Sequence, residues 1–260
     1  MNRHRFEAYL DKVFGFSDRV GDLPEGRSSP RHSWKKVFDA VFLGAAMQIP
    51  SLLQIEAECR DGALAKRIGP ISDDTFGYAL QRQDPQAVFA LGCEIAGRLK
   101  RNGVLLSPWS RGLVVAAVDG IEICSSFVRC CDACMQRKVE RTVKGEKQTH
   151  LQYYHRIVAV CIVSTPFPIP LFIHQLSRSR WRIDTEVFQT ITTDCHLKHP
   201  AVHQTTALVV LTMIRLLAYA LSLLFYHRQV RSHARGSCET FHEFAKRIAY
   251  WFIALTANTS

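Results

Sequence analysis

The stretch Ala207 to Tyr226, ALVVLTMIRLLAYALSLLFY, narrows the folds open to this chain more than any other feature. Its length is close to that at which an apolar helix spans a bilayer. Arg215 stands at its centre. An Arg at that depth costs about 2.5–3.5 kcal/mol on insertion scales. A buried helix of a soluble protein therefore satisfies the sequence better than a membrane span. Membrane association through 207–226 stays as a less favoured alternative.

Composition bears on partners. Hydrophobic residues make up 47% of the 260 positions and charged residues 22%, ordinary for a globular protein with a sizeable core. The charge balance is less ordinary: 33 Lys and Arg against 23 acids give +10, and the pI is near 9.3. A surface of that sign attracts polyanions, and nucleic acid is the commonest. The cysteines number nine, an odd count, and the start MNRHRFEAYLDKVFGF has no apolar leader region. Both features predict reduced thiols and a cytoplasmic location.

Three regions follow from local pattern. Residues 1–32 are polar and basic and predict a mobile arm with one short helix over Phe6–Phe16. Residues 33–103 predict a helical domain. Ser33 caps a helix from Trp34 to about Gln48, a second covers Ser51–Cys59, Ser72 precedes one over Thr75–Arg82, and Asp84-Pro85 opens one to about Lys100. Residues 104–260 predict a core of strands and further helices. Leu113–Val118 predicts a buried strand that delivers Asp119 at its end, and Arg156–Ser164 and Pro168–His174 predict two more. Residues 129–150 predict a loop or an extended hairpin. Helices are expected from Arg180, over 204–226, and from about Cys238 to Phe252. The fold class is thus α+β.

Three groups of residues suggest chemistry. Asp119 is a carboxylate at a strand end, of the kind that holds Mg²⁺ or Mn²⁺ for phosphodiester cleavage. Asp119-Gly120 is equally the sequence of a turn. In Arg180-Trp-Arg-Ile-Asp184-Thr-Glu186-Val-Phe188, helical spacing aligns Trp181, Asp184 and Phe188 on one face, and Arg180 and Arg182 suit phosphates. An ordinary amphipathic helix has the same spacing. Cys131 and Cys134 form one Cys-x-x-Cys pair, half of a tetrahedral zinc site; Cys124, His150 and His155 are near enough in sequence to complete it. With no second pair, the spacing favours thiols without a metal. Arg228, Arg231 and Arg235 add a basic segment suited to phosphates without sequence preference.

Taken in order, these segments resemble the DDE transposases of bacterial insertion sequences. The stretch AVDGIEICSSFVRCCDAC is similar to the first-strand motif of the branch in which Asp-Gly is followed by Ser-Ser and Cys-x-x-Cys. HLQYYHRIVAVCIV resembles the next strand, entered through Tyr-His. RWRIDTEVFQTITTDCHLKH resembles the segment with the last catalytic acid, Arg-Trp-x-Ile-Glu-x-x-Phe, and 207–225 and FHEFAKRIAYWF resemble the C-terminal helices. The resemblance implies a ribonuclease-H-like core with a helical N-terminal region, DNA at transposon ends as partner, and self-association as a further one. It also implies metal-bound carboxylates at Asp119 and Asp184. Two departures stand out. Asp184 replaces the Glu of the motif, with Glu186 two residues on as a substitute. Asp184 also follows Asp119 by only 65 positions, with no strand-borne Asp between them, so the strand with the second catalytic Asp is missing. The resemblance therefore implies an internally shortened, defective copy, and a DNA-binding remnant without catalysis is the alternative. Glu122, Asp132 and Glu186 are the acids from which a replacement ligand would come.

Overall fold

Small polar side chains start four of the N-terminal helices. The structure, a computed structural model, describes residues 3–105, 113–143, 146–165, 169–175, 202, 204–230 and 240–257. Its first helices are α1 (Arg3–Phe14), α2 (Phe16–Gly21), α3 (Trp34–Ala46), α4 (Leu52–Arg60), α5 (Asp73–Arg82) and α6 (Pro85–Arg101). The side chains of Ser33, Ser51 and Ser72 each accept a hydrogen bond from the backbone N–H three residues on. Asp84 accepts from Gln86, with Pro85 opening the helix. Such caps satisfy donors that a helix start leaves unpaired, at about 1 kcal/mol each.

Within the segment 1–32, expected as a mobile arm, α1 and α2 pack into the core. Phe6, Leu10 and Phe14 on α1 and Phe16 and Val20 on α2 are all buried. Four-residue spacing puts the first three on one helical face. The single helix expected over Phe6–Phe16 is divided at Gly15, which takes the left-handed φ of 60° that glycine adopts without a Cβ clash.

Strands β1 (Ala116–Ser126), β2 (Met135–Val143), β3 (Glu146–Ile162) and β4 (Ile169–Gln175) form one antiparallel sheet. β3 is its spine. Tyr153 and Tyr154 pair with both β1 and β2, so those strands flank opposite edges of β3. β4 pairs with Ile157–Ile162, which β1 also pairs, and so continues along the β2 edge. No strand pairs the outer edge of β1 among the described residues. Residues 129–150 thus hold an extended hairpin, the second of the two forms that their polarity allows.

The Leu113–Val118 run behaves differently from its expectation. The strand starts at Ala116 and runs past Asp119-Gly120 to Ser126, so these two residues neither end a strand nor make a turn. Leu113 and Val118 are 68% and 56% exposed. An apolar β-branched run is buried throughout only when both faces of the sheet are covered, and here exposed Ala116 and Val118 alternate with half-buried Ala117 and buried Asp119, so one face of β1 is open.

Helix α7 (Thr205–Phe225) runs on through a π-helical turn at Tyr226–Val230, and α8 (Phe241–Ala257) ends the fold. α7 packs on α3, α5, α6 and β4. Among the described residues it is the one helix long and apolar enough to cross a membrane, and 89% of its apolar window is buried inside the protein. Phe225 at its end meets the rings of Phe6 and Tyr9 edge-on at 5.2 and 5.3 Å. One apolar cluster therefore joins α1 to α8, and the boundary expected at 103–104 is no break in packing. The fold is α+β.

Candidate functional site

Three side chains from two elements meet beside the first turn of α7. After β1, the Ser126 hydroxyl accepts hydrogen bonds from the amides of Val128 and Arg129 at 3.1 and 2.8 Å, which turns the chain back. The loop then folds into a tight turn: the Cys134 amide donates to the Cys131 carbonyl at 3.0 Å, and the Cys131 amide to Cys134 Sγ at 3.3 Å. Both sulfurs thereby face His155 on β3. Its Nε2 lies 3.3 Å from Cys131 Sγ and 3.2 Å from Cys134 Sγ, and the sulfurs are 3.7 Å apart. Cys131, Cys134 and His155 form a group able to hold a metal ion.

His155 reaches this position through the sheet. His155, Ile157, Ala159 and Cys161 alternate along the buried face of β3. A bulge in β1 between Glu122 and Cys124 leaves Ile123 as the extra residue and sets Cys124 opposite His155 in the register. Of the residues that sequence proximity brings into consideration, His155 joins the cysteine pair and His150 does not. His150 pairs with Val139 further out on the hairpin, where its ring meets Phe127.

The two thiols are not equivalent. Burial pushes the Cys131 thiol up, but hydrogen bonds from Thr205 and from the Ala133 and Cys134 amides outweigh it and hold the thiol below its ordinary range. Burial raises the Cys134 thiol, and the neighbouring Cys131 raises it further. Cys131 is thus the thiol of the pair that gives up its proton more readily. Cys59 and Cys161 are pushed up to about 12 by burial in apolar surroundings. Thr205, on the first turn of α7, has its Oγ1 3.3 Å from Cys131 Sγ. No local pattern points to it, since it lies 74 positions from Cys131.

The carboxylates are placed otherwise. Asp119 is buried opposite Ala159, on the same face of the sheet as His155, and its Oδ1 accepts from the Gly120 amide at 2.6 Å. It belongs to no metal-holding group among the described residues. Glu122 is held by Arg137 through two bonds of 2.8 and 3.0 Å, and Asp132 is exposed between the cysteines. Arg180, Arg182, Asp184, Glu186, Arg231 and Arg235 lie outside the described residues. Arg228 is exposed on the π-helical turn, where its charge draws the Tyr9 phenol down against a larger upward push from burial. No protein-family model matches this chain, and no curated protein or solved structure matches it either.

Proposed function

We propose that this chain is a transposase-derived, ribonuclease-H-like protein that binds DNA and lacks a complete catalytic centre. The observation that carries the reading is Asp119, a buried carboxylate on β1, the first strand of the antiparallel run β1–β3–β4. The transposases that the sequence resembles carry their first acid at the end of their first strand, whereas Asp119 lies within β1. They carry the second on a further strand, and the outer edge of β1 has no partner among the described residues. Phosphodiester chemistry with two Mg²⁺ or Mn²⁺ ions needs several carboxylate oxygens to hold them. Asp119 by itself does not fit that demand, so no cleavage step is assigned to it. Asp184 and Glu186 are the acids that the resemblance would add. DNA binding rests on the +10 charge and on exposed Lys138, Arg141 and Lys147 along the β2–β3 hairpin.

The test uses DNA from either side of this reading frame, with any terminal inverted repeats found there, and Mg²⁺ or Mn²⁺ added. Binding at low salt with little or no nicking is expected. Robust cleavage that disappears in Asp119→Ala would overturn the incomplete centre. Failure to bind any DNA at low salt would overturn the DNA reading altogether.

A further inference from the structure

We propose that Cys131, Cys134 and His155 bind one zinc ion, and that the ion fastens the loop after β1 to β3 beside the N-terminal end of α7. Tetrahedral zinc, with Zn–S of ~2.3 Å and Zn–N of ~2.0 Å, sets its ligand atoms about 3.5–3.8 Å apart. The sulfurs stand 3.7 Å apart, and Nε2 stands 3.3 and 3.2 Å from them. The triangle needs to open by only a few tenths of an ångström to admit the ion. Two thiolates and an imidazole are soft donors, which suit zinc and leave magnesium and calcium without the oxygens they require. Two thiolates also balance the charge of the ion, so the group is neutral once loaded.

The surroundings match the ligands. The Cys131 amide donates to Cys134 Sγ, and Thr205 Oγ1 lies within hydrogen-bond distance of Cys131 Sγ. Donors of this kind orient thiolate ligands and stabilise their charge. Thr205 also opens α7, and a helix N-terminus favours negative charge nearby. Both thiols are half-buried, which leaves room for a solvent ligand at the remaining corner of the tetrahedron. The site stands on its own geometry, whether or not the chain binds DNA.

The experiment uses the full chain expressed with zinc in the medium, desalted and analysed for metal. About one equivalent of zinc is expected, falling to background in the double variant Cys131→Ser, Cys134→Ser. Cys130→Ser should keep its zinc, because Cys130 is exposed and outside the group. Should the double variant fail to fold, the wild-type chain gives a second readout. Stripped by chelator and titrated with Co²⁺, it should develop intense visible bands and a sulfur-to-cobalt charge-transfer band that zinc then abolishes. A folded wild-type chain with neither zinc nor those bands overturns the proposal. So does zinc content unchanged in the double variant, or lost in Cys130→Ser.

Discussion

Glu25 closes the N-terminal loop onto α3 with a single carboxylate. Its two oxygens accept from the Arg27 guanidinium at 2.8 and 2.9 Å, and Oε2 also accepts from the Trp34 amide at 2.7 Å. Arg27 in turn donates to the His32 carbonyl at 2.8 Å. Burial pushes the Glu25 carboxyl up, yet Arg27 and the Trp34 amide outweigh it and hold it below the usual carboxylate range. A pKa lowered by folding gives stability that is present above the unfolded value and lost as pH falls through the folded one. Glu25→Gln is expected to lower Tm at neutral pH by roughly 2–4 °C, the equivalent of about 1 kcal/mol in a chain this long. The gap from wild type should close on acidification through the carboxylate range. Thermal melts across that range check it, and a gap independent of pH would remove the charge of Glu25 from the account.

Among the elements, α7 decides how the chain divides its apolar surface. Arg215 sits 5% exposed within it and donates from Nη2 to the Pro50 carbonyl at 2.6 Å, across from the turn before α4. Pro50 lies between α3 and α4, and its carbonyl takes this hydrogen bond from the guanidinium. Arg215→Met should therefore destabilise the chain by about 1–3 kcal/mol, the cost of losing a hydrogen bond from a charged donor to a half-buried carbonyl. A membrane span would gain from the same change, since it removes the charge that opposes insertion. Denaturant unfolding of the full chain distinguishes the two. An unchanged or raised midpoint would mean that the bond to Pro50 contributes nothing. The same helix carries Thr205 at one end and Phe225 at the other, so it touches both the cysteine–histidine group and the aromatic rings of α1.

For the molecule as a whole, the charge excess makes a quantitative forecast. If DNA is held mainly through phosphates, affinity falls steeply as added salt weakens the gain from counterion release. Replacing Arg228, Arg231 and Arg235 together by Ala is expected to reduce the slope of log affinity against log salt by about three, one for each phosphate no longer neutralised. Binding isotherms at several salt concentrations measure it, on DNA of unrelated sequence. A slope unchanged by the triple replacement would assign phosphate binding elsewhere, with Lys138, Arg141 and Lys147 on the β2–β3 hairpin as the next group to replace.

Local chemistry was enough to place the helices of residues 33–101. A cap at Ser33, Ser72 or Asp84 depends on the residue itself and the few amides after it. The β-branched segments likewise announced the C-terminal part of β3 at Arg156–Ser164 and β4 at Pro168–His174, while β3 itself begins ten residues earlier, at Glu146. Arg215 within its apolar run argued for burial in a protein core, because a charge constrains its surroundings wherever the helix lies. Tertiary structure alone decided the rest. Whether Leu113 and Val118 are covered depends on what packs over that side of the chain, and apolar character cannot say that. Whether α1 is a free arm or part of the core depends on Phe225, more than two hundred positions away. The Cys131 and Cys134 pair, with Cys124, His150 and His155 nearby in sequence, left open which residues could join it. The register of β3 chose His155 over His150, because pairing sets which positions along a strand reach the same place in space.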